Sequence, residues 1–150
     1  IGDGNLKETM TALILELGLE KHVVLVGSKP QKELVLELSS CSIFVNPSVY
    51  SQTFGLSNIE AMAMDLPLIA FSVGGPREYL RNGVNCIVPR SATGDAIAEA
   101  ISMLRSDGVL KELLIEGGRK LARNYTVTKA VLEYRKLYES LVSGDHHPQK

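Results

Sequence analysis

Short apolar runs without polar alternation, each followed by a stretch of helical spacing, limit this chain's fold more than any other feature. Residues 23–26, 43–45, 68–71 and 86–88 are continuously apolar or nearly so. A strand with one wet face alternates apolar and polar residues, whereas a strand covered on both faces does not. Runs of this kind imply a parallel sheet with helices on both sides, a doubly wound α/β layout of about four strands. The helical stretches fall between and after the runs. Residues 6–17 carry Leu6, Met10, Leu13, Ile14 and Leu17 at helical spacing before Gly18 stops them. Residues 31–38 place Leu34, Val35 and Leu38 inward, and 56–64 form a further short helix. Pro76 suits the first turn of a short helix over 76–80. Helices are also expected over 95–104, 109–123 and 126–141. The last one lines up Val127, Ala130, Val131, Tyr134, Leu137 and Leu141 along one stripe.

A chain of 150 residues is one domain's worth of core. The expected domain covers 1–142, followed by a disordered tail over 143–150. The formal net charge of -1 gives no basic excess for nucleic acid and no polybasic face for anionic lipid. No apolar run approaches the ~20 residues that span a bilayer. The opening Ile1-Gly2-Asp3-Gly4 has neither a Met start nor a leader pattern. It is expected to be the end of a strand that begins outside the chain, so the domain is N-terminally truncated. Cys41 and Cys86 are expected as small reduced core residues, and His22, His146 and His147 have no metal-ligand spacing. With five Tyr, three Phe and no Trp, the chain is poor in platforms for stacking sugars.

The richest stretch is Ser51-Gln52-Thr53-Phe54-Gly55-Leu56-Ser57-Asn58-Ile59-Glu60-Ala61-Met62. It leaves the apolar run at 43–45, crosses the polar turn Asn46-Pro47-Ser48 and enters a helix through a glycine. A helix entrance offers unpaired amides and the positive end of the macrodipole, which suits a phosphate. Glu60, about one and a half turns on, can reach a neutral polar part of the same ligand. Phosphate and carboxylate sites so arranged suit a nucleotide.

Gly2-Asp3-Gly4, Phe54-Gly55-Leu56 with Glu60-Ala61-Met62-Ala63, Pro67-Leu68-Ile69-Ala70, Val73-Gly74-Gly75 with Glu78, and Asn82-Gly83 form a series. Their order and spacing resemble the C-terminal, donor-binding domain of the retaining GT-B glycosyltransferases of family 4, from residue 1 to about 141. The resemblance implies two Rossmann-like domains facing across a cleft, with the nucleotide sugar held by this one. A hydroxyl acceptor would be held by an N-terminal domain absent from the chain. The donor would be a UDP-, GDP- or ADP-sugar, and a hexose would be transferred with retention, commonly without a bound metal. No cofactor is expected, and the chain alone would lack transfer activity. A cytoplasmic location is expected, with peripheral membrane contact if the acceptor is a lipid.

The family's two glutamates, separated by seven residues, fall on Gln52 and Glu60. The resemblance implies that Glu60 bonds the ribose hydroxyls and that Gln52 stands where a carboxylate faces the transferred sugar. Gln52 keeps a carbonyl acceptor but loses charge-assisted bonding, of order 1.5–3 kcal/mol against ~0.5–1.5 for a neutral bond. Thr53, Phe54, Gly55 and Leu56 are the expected donor-binding residues. Gly55 and Leu56 would present their amides to the diphosphate. The loop at Gly74 and Gly75 is read either as a further ligand loop or as a turn that starts a helix.

Two alternatives stay open. Ser57-x-x-Glu60 also fits a capping box, although a helix starting at Thr53 would have a better length. At the level of function, the rival to an active transferase is a non-catalytic nucleotide-sugar-binding or assembly module with a decayed motif.

Overall fold

The computed structural model describes residues 1–143, which form two compact units, Ile1–Ser40 and a second from Cys41 onward. The tail expected over 143–150, with His146 and His147, lies outside the described residues except for Ser143, the last residue of a helix.

The first unit holds helices α1 (Lys7–Glu16) and α2 (Gln31–Ser39). α1 stops where the glycine predicted: Gly18 is left-handed at φ +64°. Its amide bonds to the Leu15 carbonyl at 3.1 Å, and that of Leu19 to Ile14 at 2.9 Å. This paired closure satisfies carbonyls that the helix end would otherwise leave open. The apolar positions of α1 are not covered within the unit, since Leu6, Met10, Leu13 and Leu17 are exposed. In α2, Leu38 is buried, Leu34 is half-buried and Val35 is exposed, so the inward set is narrower than the spacing predicts.

The buried strand expected over 23–26 does not form, and Val24 is 75% exposed. A strand exists through its ladder, and no described ladder reaches these residues. The backbone tie at this point runs from the Gly2 amide to the Gly27 carbonyl, at 2.8 Å.

The second unit is α/β with parallel pairing, as the apolar runs predict. Strand β1 (Phe44–Asn46), helix α3 (Leu56–Ala63) and strand β2 (Leu68–Ala70) make a βαβ crossover. Its register sets Phe44 against Leu68, Val45 against Ile69 and Asn46 against Ala70. On the other side of β2, Ile87 joins by one parallel bridge, donating to Leu68 at 2.8 Å and accepting from Ala70 at 3.1 Å. The strand predicted over 86–88 goes no further for a local reason. The Val88 amide is taken by the Asn82 side chain at 2.9 Å, and Pro89 has no N–H to offer.

Both faces of β2 are buried, as an unalternating strand requires. Leu68 and Ala70 pack with Ile59, Met62, Tyr79, Leu80, Cys86 and Ala122. Ile69 packs on the opposite side with Ile87, Ala100, Leu104 and Leu114. Cys86 is thus a core residue, and burial pushes its thiol up to about 12. Cys41, expected in the core, is exposed.

A 3-10 turn (Gly75–Glu78), with Pro76 in its first turn, replaces the short helix expected over 76–80. Helices α4 (Gly94–Ser106) and α5 (Gly108–Ala122) follow, capped by the side chains of Thr93 and Asp107. Two glycines let α5 approach closely. A β-carbon on Gly117 would collide with the Val84 carbonyl oxygen, and one on Gly118 would stand 2.9 Å from Met62 Cγ. Helix α6 (Val127–Ser143) has no buried residue, and Val127, Val131, Tyr134, Tyr138 and Leu141 are exposed along it. The apolar stripe read from the spacing of this helix is therefore exposed.

Candidate functional site

Two loops leave the carboxyl ends of β1 and β2 and meet, at the edge where open parallel sheets bind ligands. Gln52 pairs with Gly74 in a parallel bridge, and the Gly75 amide donates to the Gln52 carbonyl at 2.9 Å. Gly74 has φ +70°, a region that favours glycine. A β-carbon there would lie 2.6 Å from both the Gln52 carbonyl oxygen and Ser51 Oγ. One on Gly75 would collide with the Thr53 carbonyl oxygen. The structure thus brings Gln52, Thr53, Gly74 and Gly75 into one packed turn, beyond the simple punctuation that glycine and proline would explain.

Gly55 caps α3 in a left-handed conformation, φ +78° and ψ +56°, with no side-chain cap. That kink excludes a helix starting at Thr53. It also excludes the capping box, because Ser57 lies inside the helix and not at its cap. The Asn58 amide bonds back to the Gly55 carbonyl at 3.0 Å. The amides of Leu56 and Ser57 stand earlier in the first turn, outside the intrahelical ladder and at the positive end of the dipole. Leu56 is 66% exposed, so this mouth is open. The space a Gly55 side chain would need is lined by Gln52 Oε1 at 2.9 Å, and by Asn58 Nδ2 and the Tyr79 hydroxyl at 3.1 Å. The Gln52 carboxamide oxygen therefore lies beside the helix mouth.

Glu60 follows Leu56 by one turn on the same stripe of α3. Leu56, Ser57 and Ala63 on that side are exposed and Glu60 is half-buried, while Asn58, Ile59, Ala61 and Met62 face the core. Two hollows of about 350 Å³ each lie elsewhere, one lined by Gly2, Met10 and Val24–Gly27 residues and the other by Asn82, Pro89 and Met103, and neither includes Gly55 or Glu60.

The Phe54 ring does not face the mouth. It packs on Tyr79 with centroids 5.3 Å apart and on Tyr125 at 5.1 Å. Beneath it runs a polar chain that the sequence reading passed over. The Ser48 amide donates to Asn46 Oδ1 at 3.2 Å, and Asn46 Nδ2 donates to Asn58 Oδ1 at 2.7 Å. Asn58 Nδ2 donates to the Tyr79 hydroxyl at 3.2 Å, which donates to the Phe54 carbonyl at 2.7 Å. Burial raises the Tyr79 pKa, with the Asn58 hydrogen bond opposing it, so the hydroxyl stays protonated as a donor. The available signal was Asn58 itself, a polar residue beside Ile59 on the otherwise apolar buried side of α3.

Arg77, two residues after Gly75, is exposed and its Nε donates to the Ser72 carbonyl at 3.0 Å. Among the described residues, no group of three or more His, Cys, Asp or Glu could hold a metal ion.

The family model for glycosyl transferases group 1 matches residues 1–121. An uncharacterized glycosyltransferase of Methanocaldococcus jannaschii is 32% identical over 141 residues, covering 94% of this chain and 40% of that protein. The structure of sucrose-phosphate synthase from Thermosynechococcus elongatus matches with a TM-score of 0.80 at 28% identity, over 94% of this chain and 35% of that one. The structure of Anabaena HepE in complex with UDP-glucose matches with a TM-score of 0.81, over 95% of this chain and 39% of that one. Its 22% identity makes that a likeness of fold alone. The chain spans at most two fifths of the length of each.

Proposed function

The chain belongs to the glycosyl transferases group 1 family, and from that premise we propose that it is the donor-binding part of a retaining, family 4 type hexosyltransferase. The donor is a nucleotide sugar with a UDP, GDP or ADP moiety, and the acceptor is a separate hydroxyl compound held by an N-terminal domain. The observation that carries this reading is the open amino end of α3 at the carboxyl edge of the parallel strands, with half-buried Glu60 one turn on from Leu56. In this reading Gly55 and Leu56 offer their amides to the diphosphate, and Glu60 accepts from the ribose hydroxyls. As the sugar departs, negative charge grows on the nucleoside diphosphate, and fixed amide dipoles stabilise it without reorganising. Gln52, beside the mouth, orients the sugar through a neutral carboxamide.

The test is affinity for UDP, GDP and ADP, each compared with its 2′,3′-dideoxy counterpart. A preference of about tenfold for one ribose form is expected, from the loss of hydrogen bonds to a charged acceptor. Glu60→Ala should abolish that preference. Absence of affinity for every diphosphate, or a preference that survives Glu60→Ala, contradicts the reading.

Gln52 at the first carboxylate position favours a second reading, a module that binds nucleotide sugars without transferring them. Slow release of free sugar from a bound nucleotide sugar supports the enzyme; tight binding with no turnover in the complete protein supports the module.

A further inference from the structure

We propose that Tyr79 and Asn58 are positioning residues that aim the amides of Gly55 and Leu56 at the donor diphosphate, an inference that rests on the donor reading above. The Tyr79 hydroxyl stands 2.7 Å from the Phe54 carbonyl oxygen and 3.2 Å from that of Gly55. Those carbonyls belong to the peptide units Phe54–Gly55 and Gly55–Leu56. Each unit is planar and trans, so its N–H points opposite to its C=O. One buried hydroxyl drawing both oxygens inward therefore turns the amides of Gly55 and Leu56 the other way. These are two of the donors a bound diphosphate would use.

The hydroxyl is itself held in place. Tyr79 is 4% exposed and Asn58 1%. Asn58 Nδ2 occupies a lone pair of the hydroxyl, which directs its proton to the carbonyls. Asn46 in turn fixes the Asn58 carboxamide, because its Nδ2 donates to Asn58 Oδ1. Every donor in the chain from Ser48 to Phe54 points the same way, so each bond polarises the next. An apolar side chain could fill the Asn58 position without the cost of burying a carboxamide. What the carboxamide adds is direction. The chain also ties the end of β1 to the loop after β2, so both strands set the angle of the helix mouth.

Tyr79→Phe removes the hydroxyl and keeps the ring against Phe54 and Tyr125. UDP, GDP and ADP are titrated against the unaltered chain and the variant, together with the matching nucleoside without phosphates, below the variant's thermal midpoint. Diphosphate affinity is expected to fall about tenfold, the equivalent of one hydrogen bond to a charged group, while nucleoside affinity is unchanged. Asn58→Asp tests the same point independently. A carboxylate there accepts the hydroxyl proton and draws it from the Phe54 carbonyl, and the same selective loss is expected.

If Tyr79→Phe lowers the thermal midpoint but leaves the ratio of diphosphate to nucleoside affinity unchanged, the positioning role is overturned and the donor reading stands. An equal loss for both ligands overturns it likewise. An unaltered chain that binds no nucleoside diphosphate overturns the donor reading and this inference together.

Discussion

The carbonyl oxygen of Thr53 occupies the space that a side chain on Gly75 would need. Those residues come from loops that follow different strands, and their contact locks the two loops into one surface. Gly75 also donates its amide to Gln52. This edge of the sheet is built by backbone meeting backbone, where no side chain can yield.

Gly75→Ala should therefore weaken folding by about 1–3 kcal/mol or more, the usual cost of forcing extra volume into a packed site. Urea unfolding monitored by circular dichroism measures it. The lost affinity for a nucleoside diphosphate should exceed that of a surface substitution such as Lys136→Ala.

Gly117 and Gly118 should respond differently to alanine, although both lie within α5. Alanine in a helix interior normally gains about 1 kcal/mol over glycine. At Gly118 the obstruction is Met62 Cγ at 2.9 Å, near the root of a buried side chain, so the helical gain is offset and the change should cost less than at Gly117. At Gly117 the obstruction is the Val84 backbone carbonyl, and the change should cost about 1–3 kcal/mol. Thermal unfolding of the two variants decides it.

The two thiols should react unequally. Cys86 is buried and its pKa stands near 12, so at pH 8 its thiolate is scarce and shielded. Cys41 is exposed. Iodoacetamide at pH 8 should add once to the folded chain, at Cys41, and twice after denaturation. Raising the pH to 9 should still leave Cys86 unmodified in the folded chain, since burial shields it.

Gln52→Glu should raise kcat/KM for the preferred nucleotide sugar in the complete protein by about tenfold. The side-chain oxygen stands near Gly55 at the positive end of α3. There a carboxylate gains a charge-assisted bond that the carboxamide lacks. Steady-state kinetics across UDP, GDP and ADP sugars measures it, and unchanged turnover and donor choice would show the position to be inert.

The parts of the fold that follow from local pattern were legible in the sequence. Continuous apolar runs at 43–45 and 68–71 marked the parallel pair, of which β2 is buried on both faces and β1 is half-buried, and Gly18 marked the end of α1. Pairing was less visible. Residues 23–26 have strand composition but no described ladder, and the strand at 86–88 stops at one bridge because Asn82 takes the Val88 amide. At the site, the glycine entrance at Phe54-Gly55-Leu56 and the place of Glu60 one turn further on could be read from spacing. The link between Gln52 and Gly74 could not, since it joins loops far apart in sequence. Nor could the chain from Asn46 through Asn58 and Tyr79 to Phe54, which depends on three-dimensional placement of residues with ordinary core or loop neighbours.

Amide chemical-shift mapping during titration with UDP, GDP and ADP tests the central claim most directly. The account predicts that one of these ligands perturbs Gly55, Leu56 and Ser57 most strongly, with Glu60 and Gly75 moving next. Shifts confined to the hollow between Asn82 and Leu110, or no shift with any of the three, would contradict it.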